Sequence, residues 1–301
     1  MSIPLVSVLI TTRNRPVELN ESLQKIFDQT YSEFEVLIVD DASTTNDIND
    51  IVKKFTSIRV IKHKESSGYL VSRNELMRLA SGKYFLHLDD DAHLVQPDAI
   101  EKAVRIMESD EGIGVFAFTV HEDVNPPPQE ILNVPSKVID VRSFTGCGHI
   151  IRRSVFEELG PLKEAFVFYC EEIDFCLRAW EAGYRVVRDP SLIVHHRVDW
   201  RLRDNIRRED ENSNPGYYGK DWRVELGVRN ELWWVLQLVP APYVFGLLPY
   251  KAFKFYQFHK KNGYARSVRK GLFDFVRLMP AILKERRPVR RTTFKKWLQL
   301  K

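Results

Sequence analysis

Polar residues cluster where apolar runs stop. Val6–Ile10 leads into Thr11-Thr12-Arg13-Asn14, Val36–Val39 into Asp40-Asp41, Tyr84–Leu88 into Asp89-Asp90-Asp91, and Ser191–Val194 into His195-His196. In an open α/β sheet, ligands bind beyond the carboxyl ends of the strands, so these residues converge if the runs are strands of one sheet. Carboxylates with Arg and His suit a phosphorylated ligand held through a divalent cation, because Mg²⁺ and Mn²⁺ take carboxylate oxygens and bridge phosphates. A single Asp at such a turn is commonly a helix cap. Three in succession repel one another and call for a cation or an Arg between them. A lone His after a strand is more often structural than a ligand, and the sequence leaves open which of His195 and His196 faces a site. Glu171-Glu172 begin a helical segment, where acids suit the helix dipole as well as proton transfer. Asp174 and Arg178, four apart, can pair on that helix. Thr145-Gly146-Cys147-Gly148 sets two glycines round a cysteine, as a backbone approached by a ligand or an ordinary tight turn requires. No GxGxxG follows the first strand and no GxxxxGK[ST] occurs, which argues against a dinucleotide site and a P-loop.

These residues need a scaffold of alternating strands and helices. Leu19, Leu23, Ile26 and Phe27 share one helical face over Val17–Thr30; Ile48, Ile51, Val52 and Phe55 mark a second helix; Val71, Leu76, Leu79 and Ala80 a third, closed by Gly82; Ala99–Met107 a fourth. Ile58–Ile61 and Gly114–Val120 add strands. Strands that are apolar throughout, alternating with helices, predict a mostly parallel α/β sheet covered on both faces. Pro126, Pro127, Pro128 and Pro135 make His121–Arg142 a loop or an edge excursion. Glu171–Ala182 is amphipathic, with Ile173, Cys176, Leu177 and Trp180 inward. Asp199–Asp221 reads as a mobile polar connection, and amphipathic helices follow. With 44% hydrophobic and 29% charged residues over 301, the chain is neither disordered nor collagenous. Three cysteines without metal-ribbon spacing exclude a disulfide framework and fit a reducing compartment.

The segments VSVLITTRNRP, VLIVDDAS, SSGYLVSRN, YFLHLDDDA and EEIDFCLRAWEAGYR, in this order, resemble family 2 glycosyltransferases of the GT-A fold over about Pro4 to Trp200. The resemblance implies an inverting, metal-dependent transferase that moves a sugar from a nucleotide-diphosphate sugar, UDP- or dTDP-linked, with Mn²⁺ or Mg²⁺. It assigns Thr11, Arg13 and Asp41 to the nucleobase, with Asp41 accepting from the base imide. Arg73 falls near the base and diphosphate. Asp89 and Asp91 become the outer members of a DXD motif, Asp89 facing ribose and metal and Asp91 ligating the metal; Asp90 takes the variable middle position on the nucleotide sugar. Glu172 stands at the catalytic base, where Asp is commoner, and His195 matches a histidine near metal and phosphates. Arg13 replaces a frequent aromatic residue, and Ala92 a frequent Asp after the motif. The pattern GVRNELWW with a basic, aromatic tail resembles bacterial members that make surface glycans beside a membrane. The implied organisation is a catalytic domain over 1–225, with a nucleotide-sugar half at 1–120 and an acceptor half at 121–225, followed by a helical, basic region over 226–301.

Charge supports a surface role for that region. Residues 251–301 hold 16 Lys and Arg and two acids, leaving 29 basic against 39 acidic residues over 1–250, so the two parts carry about +14 and −10. Trp233, Trp234, Phe245, Phe273, Phe275, Phe294 and Trp297 are interleaved with Arg286, Arg287, Arg290, Arg291, Lys295 and Lys296, which predicts peripheral attachment to the anionic inner face of a bacterial plasma membrane and a glycan or lipid-linked acceptor. No nucleic-acid motif accompanies the charge. The uncharged stretch Trp233–Tyr250 has membrane-spanning length, but Pro240, Pro242, Gly246 and Pro249 make it interfacial or re-entrant. Met1 leads almost directly into the strand-like run VSVLI with no basic n-region and no cleavage site, so no targeting segment is expected. Two other readings are a sugar nucleotidyltransferase, which TTRNRP disfavours by lacking glycines, and a non-catalytic nucleotide- or glycan-binding scaffold on a membrane.

Overall fold

The computed structural model describes residues 5–44, 47–198 and 219–300. Most of the polar connection expected between Asp199 and Asp221 lies outside the described residues. The chain forms two compact units, one of residues 1–162 and 182–198, the other of 163–181 and 199–300.

The first unit is built on a nine-stranded sheet. Its strands are β1 (Val6–Thr12), β2 (Phe34–Asp40), β3 (Ile58–Lys62), β4 (Tyr84–Asp89), β5 (Ala92–Leu94), β6 (Ile113–Glu122), β7 (Ile139–Asp140), β8 (Gly148–Arg152) and β9 (Arg185–His196), in the spatial order β3-β2-β1-β4-β8-β6-β9-β5, with β7 also on β9. β3, β2, β1 and β4 run parallel, and so do β6 and β9. β8 and β5 run antiparallel to their neighbours, so the expected parallel sheet is mixed beyond β4. Helices α1 (Pro16–Phe27), α2 (Asp47–Val52), α3 (Tyr69–Leu79), α4 (Ala99–Ser109), α5 (Gln129–Leu132) and α6 (Arg153–Leu159) connect the strands. Val8, Ile10, Ile38, Leu86 and Leu88 meet Leu19, Leu23, Ile100 and Met107 in the main core. Removing water from side chains of this size contributes roughly 1.5–3 kcal/mol each.

Strand register sets the functional end. Thr11 pairs with Asp89 and Thr12 with Asp40, so three strands deliver their polar ends together. Gly148 is needed for packing: a Cβ there would sit 3.0 Å from Val194 Cγ2.

The second unit contains α7 (Glu171–Ala182, less its last residue), α8 (Lys220–Leu238), α9 (Tyr243–Lys261), α10 (Ala265–Lys284) and α11 (Arg291–Gln299). α10 lies close against α8 at Gly271, where a Cβ would come within 2.5 Å of the Glu225 carbonyl oxygen. Trp233, Trp234, Phe275, Phe294 and Trp297, expected at a membrane interface, are buried in this unit. The reason is packing: Trp234 and Phe294 both meet Trp297, and Trp233 meets Phe166 edge-on. Phe245 and Phe273 are exposed as expected, together with Tyr250, Phe253 and Phe258 on α9. The apolar stretch 233–250 is the end of α8, a proline-bearing link and the start of α9. Among the described residues, no helix is long and apolar enough to cross a membrane.

Candidate functional site

Three aspartates emerge from β4 into separate environments. Asp90 turns inward, where Thr12 Oγ1 donates to Oδ2 at 2.8 Å and Arg15 Nη1 to Oδ1 at 2.7 Å. Arg15 Nη2 also donates to Asp91 Oδ2 at 2.6 Å, so one guanidinium bridges both carboxyl groups. Asp89 Oδ1 accepts from Arg73 Nη2 at 2.7 Å, and Arg73 lies over the Tyr69 ring. Burial raises Asp90, with Arg15 opposing. Burial acts the same way on Asp91, but His196 and Arg15 outweigh it and hold Asp91 well below the ordinary range. Asp90 was expected on the nucleotide sugar; its contacts instead tie β1 and Arg15 to the strand end. Sequence reasoning also passed over Arg15, whose signal was the requirement for a cation between like charges.

The two histidines divide sharply. Residues adjacent on a strand face opposite sides. His195 Nε2 bonds the Asp123 carbonyl oxygen at 2.8 Å, and its ring packs on His93 and His121. His196 faces the aspartates: Nε2 lies 3.1 Å from Asp91 Oδ1 and Nδ1 lies 3.4 Å from Glu122 Oε1. Thus His196, and not the expected His195, lies beside the strand-end aspartates. Burial disfavours its imidazolium, but Asp91 and Cys147 push its pKa up to about 11. One ligand atom each from Asp89, Cys147 and His196 lies within 4.8 Å of the other two, enough to hold a cation. Nε2 of His196 and Oδ1 of Asp91 are both buried, and neither is in hydrogen-bond alignment despite their proximity.

Asp41 is caged. Oδ1 accepts from His63 Nδ1 at 2.8 Å, Ser67 N at 2.8 Å and Ser67 Oγ at 3.1 Å; Oδ2 accepts from Ser66 Oγ at 2.7 Å and Gly68 N at 3.1 Å. Those contacts fix the turn that starts α3, and Gly68, at φ +87°, is the residue type that turn needs. Burial works against the Asp41 carboxylate, yet these donors hold it below its ordinary range. His63 Nε2 reaches Glu75 Oε2 at 2.7 Å; burial disfavours its charge, but Asp41 and Glu75 together raise it. With both oxygens saturated, Asp41 is not available to a base imide as the sequence suggested. Its neighbour Asp40 uses Oδ1 for Ser43 N at 2.9 Å, while Oδ2 has the Lys62 ammonium at 3.9 Å, beyond hydrogen-bond length. Thr11 and Arg13, both half-buried, lie at the end of β1 and just beyond it. Asn14 and Ala42 adopt left-handed backbone there, and Asn14 ties the two loops by accepting from Thr44 N at 2.8 Å.

Glu172 belongs to the second unit, half-buried in the first turn of α7 beside buried Glu171. Asp174 pairs with Arg178 at 2.9 Å, the spacing the sequence predicts. The segment before the helix is strained: Val167, Tyr169 and Cys170 all have positive φ, and Phe168 N–H bonds the Phe166 carbonyl across Val167 at 2.6 Å. Asn230 on α8 holds it. Its Nδ2 donates to the carbonyls of Phe166, Phe168 and Tyr169 at 2.9, 2.6 and 3.1 Å, and its Oδ1 accepts from Arg229 Nε at 2.8 Å. Asn230 stands inside the GVRNELWW run, but no spacing rule links it to a loop 60 residues earlier.

Comparison with known proteins adds an independent line. The family model described as glycosyl transferase family 2 matches residues 7–160. A Haemophilus influenzae protein described as an uncharacterized glycosyltransferase is 34% identical over 113 residues, covering 36% of this chain and 35% of the relative, so the match spans about a third of that protein. The mannosyltransferase PcManGT from Pyrobaculum calidifontis, in complex with GDP-Man and Mn²⁺, superposes with a TM-score of 0.62 at 19% identity, covering 91% of this chain and 75% of the other. S. aureus TarS 1–349 in complex with UDP-GlcNAc gives a TM-score of 0.62 at 17% identity, over 90% and 80%. At these identities the structural likeness is one of fold.

Proposed function

Because the chain belongs to glycosyl transferase family 2, we propose that it transfers a sugar, with inversion, from a nucleotide-diphosphate sugar to a hydroxyl of a glycan or lipid-linked acceptor in surface-polysaccharide synthesis. The observation that carries this reading is the convergence of Asp89, Asp91 and His196, with Arg15 and Arg73, at the ends of β4 and β9. Asp91, Asp89 and His196 would hold a divalent cation, Mn²⁺ or Mg²⁺; the buried, unaligned Nε2 and Oδ1 atoms fit that group. When bound, the cation stabilises negative charge on the departing diphosphate. Arg73, paired with Asp89 here, is placed to exchange that partner for a diphosphate oxygen. Thr11 and Arg13, half-buried at the end of β1, would flank the nucleobase of a UDP- or dTDP-linked donor. Glu172 takes the proton of the attacking hydroxyl, and inversion follows from one displacement at the anomeric carbon.

The membrane belongs to the same reading. On α9, Phe245, Tyr250, Phe253 and Phe258 are exposed, and Lys254, Lys260 and Lys261 share the helix. Aromatic rings and basic side chains together suit an anionic interface. The function is tested by thermal shift with a panel of nucleotide sugars and Mn²⁺. A donor at 100 times its Kd stabilises the fold by roughly 2.7 kcal/mol. A clear shift with one nucleotide class is expected; no shift with any of them overturns the reading.

A further inference from the structure

We propose that Cys147 is a thiolate ligand of the cation held at this site, so that the donor set is carboxylate, imidazole and sulfur. The inference rests on the metal-binding reading above and goes beyond it in naming a ligand that no strand-end aspartate pattern supplies.

The geometry is local and tightly determined. Thr145 and Gly148 close a two-residue turn, with Gly148 N–H bonding the Thr145 carbonyl at 3.1 Å. Cys147 stands at its corner, 3% exposed, just before β8. Gly148 packs closely against Val194, where a Cβ would sit 3.0 Å from Cγ2. The turn before it brings Cys147 Sγ to His196. From the other side, Leu88 pairs with Gly148 in the antiparallel β4–β8 ladder, which places Asp89 across from Cys147. The result is Sγ, a carboxylate oxygen and an imidazole nitrogen all within 4.8 Å of one another, about twice a metal–ligand bond of ~2.3 Å.

Two further observations point to an ion and not to a chance cluster. His196 is 6% exposed, and its Nε2 pairs with Asp91 Oδ1 at 3.1 Å without the alignment of a hydrogen bond, a place that a cation between the two atoms would fill. Cys147 is also part of the main apolar core with Leu88, Ile150 and Val194, so the thiol is kept from water. A serine would satisfy a hydrogen bond at this position; sulfur adds affinity for softer cations.

Binding exchanges protons for metal bonds. The cation takes the sulfur lone pair as the S–H bond of Cys147 breaks and the imidazole lone pair as the N–H bond of His196 breaks, both protons leave to buffer, and no electron changes hands. The consequence is selectivity: Zn²⁺, Co²⁺ and Mn²⁺ are favoured over Mg²⁺.

Cobalt reports the sulfur directly. The full chain, stripped of metal, is titrated with CoCl₂ and followed by absorption. One equivalent is expected to give a near-ultraviolet thiolate-to-cobalt charge-transfer band. The band should be absent in Cys147→Ser and present in a variant with Cys170→Ser and Cys176→Ser, and Zn²⁺ affinity should fall roughly tenfold or more in Cys147→Ser. Cobalt bound with visible ligand-field bands but no charge-transfer band in the wild type overturns the cysteine ligand and leaves the metal site standing. No cobalt uptake, with or without UDP, overturns both.

Discussion

At the residue scale, assignments separate by which side chain can reach which atom. His196→Asn should weaken Mn²⁺ binding by at least the ~10–100-fold that losing a supporting contact costs, whereas His195→Asn should change it little. Calorimetry on the two variants decides, and equal losses would contradict the facing argument. Glu172→Gln keeps size but cannot accept a proton. It should lower kcat roughly 10²–10⁴-fold with donor KM nearly unchanged, and a mainly KM effect would make Glu172 a binding group instead. The Asp41 cage predicts a pH dependence of stability. Asp41 is lowered, so its contribution is present above the ordinary carboxylate range and lost in acid as pH falls through its lowered pKa. His63 is raised, so its contribution is full below about pH 6.5 and fades as pH rises through its raised pKa. Denaturation of wild type and His63→Gln should therefore differ most near pH 6, by about 1–2 kcal/mol, with the gap closing in alkali. A gap independent of pH would dismiss the charged imidazole.

At the element scale, much was legible in sequence. Val6–Ile10, Val36–Val39 and Tyr84–Leu88 are short, mainly apolar runs between turn signals, which read as strands covered on both faces and carry their polar ends to one edge. What escaped was what depends on neighbours distant in sequence. The choice between His195 and His196 follows from β9 pairing with β5 and β6, which periodicity in a single strand does not fix. Asp41 looked like a ligand because its cage comes from residues 63–68, and nothing in VLIVDDAS announces them. The tail aromatics looked interfacial because burial inside a helical unit and burial in lipid select the same side chains. The clamp on the segment before α7 belongs to this scale as well. Asn230→Ala would remove the donor that the Phe166, Phe168 and Tyr169 carbonyls share, while Phe166 keeps its bond from Arg229 Nη2, and should cost about 1–3 kcal/mol. We expect a lower melting temperature together with a kcat that falls further than donor KM rises. A kcat reduced only in proportion to the folded fraction would show that the clamp supports the fold without positioning Glu172.

At the scale of the whole molecule, charge and exposed aromatics sit in the C-terminal part. Co-sedimentation with anionic vesicles should be strong at low salt, weaken as salt screens the lysines, and drop in Phe253→Glu/Phe258→Glu. These exposed positions are the proper probes, since cutting the chain after Glu231 would remove buried Trp233 and Trp234. Full recovery in the supernatant at low salt would exclude the membrane. The division of the chain also has a consequence for biosynthesis. Residues 163–181, with Glu172, belong to a unit whose remainder is 199–300. A ribosome adding ~5–20 residues per second emits them many seconds before the helix carrying Asn230 and its neighbours is complete. The first unit can fold while the nascent chain grows; the unit that holds Glu172 is completed only when the C-terminal helices have emerged. Incomplete translation products would then carry the strand-end aspartates without a completed unit around Glu172.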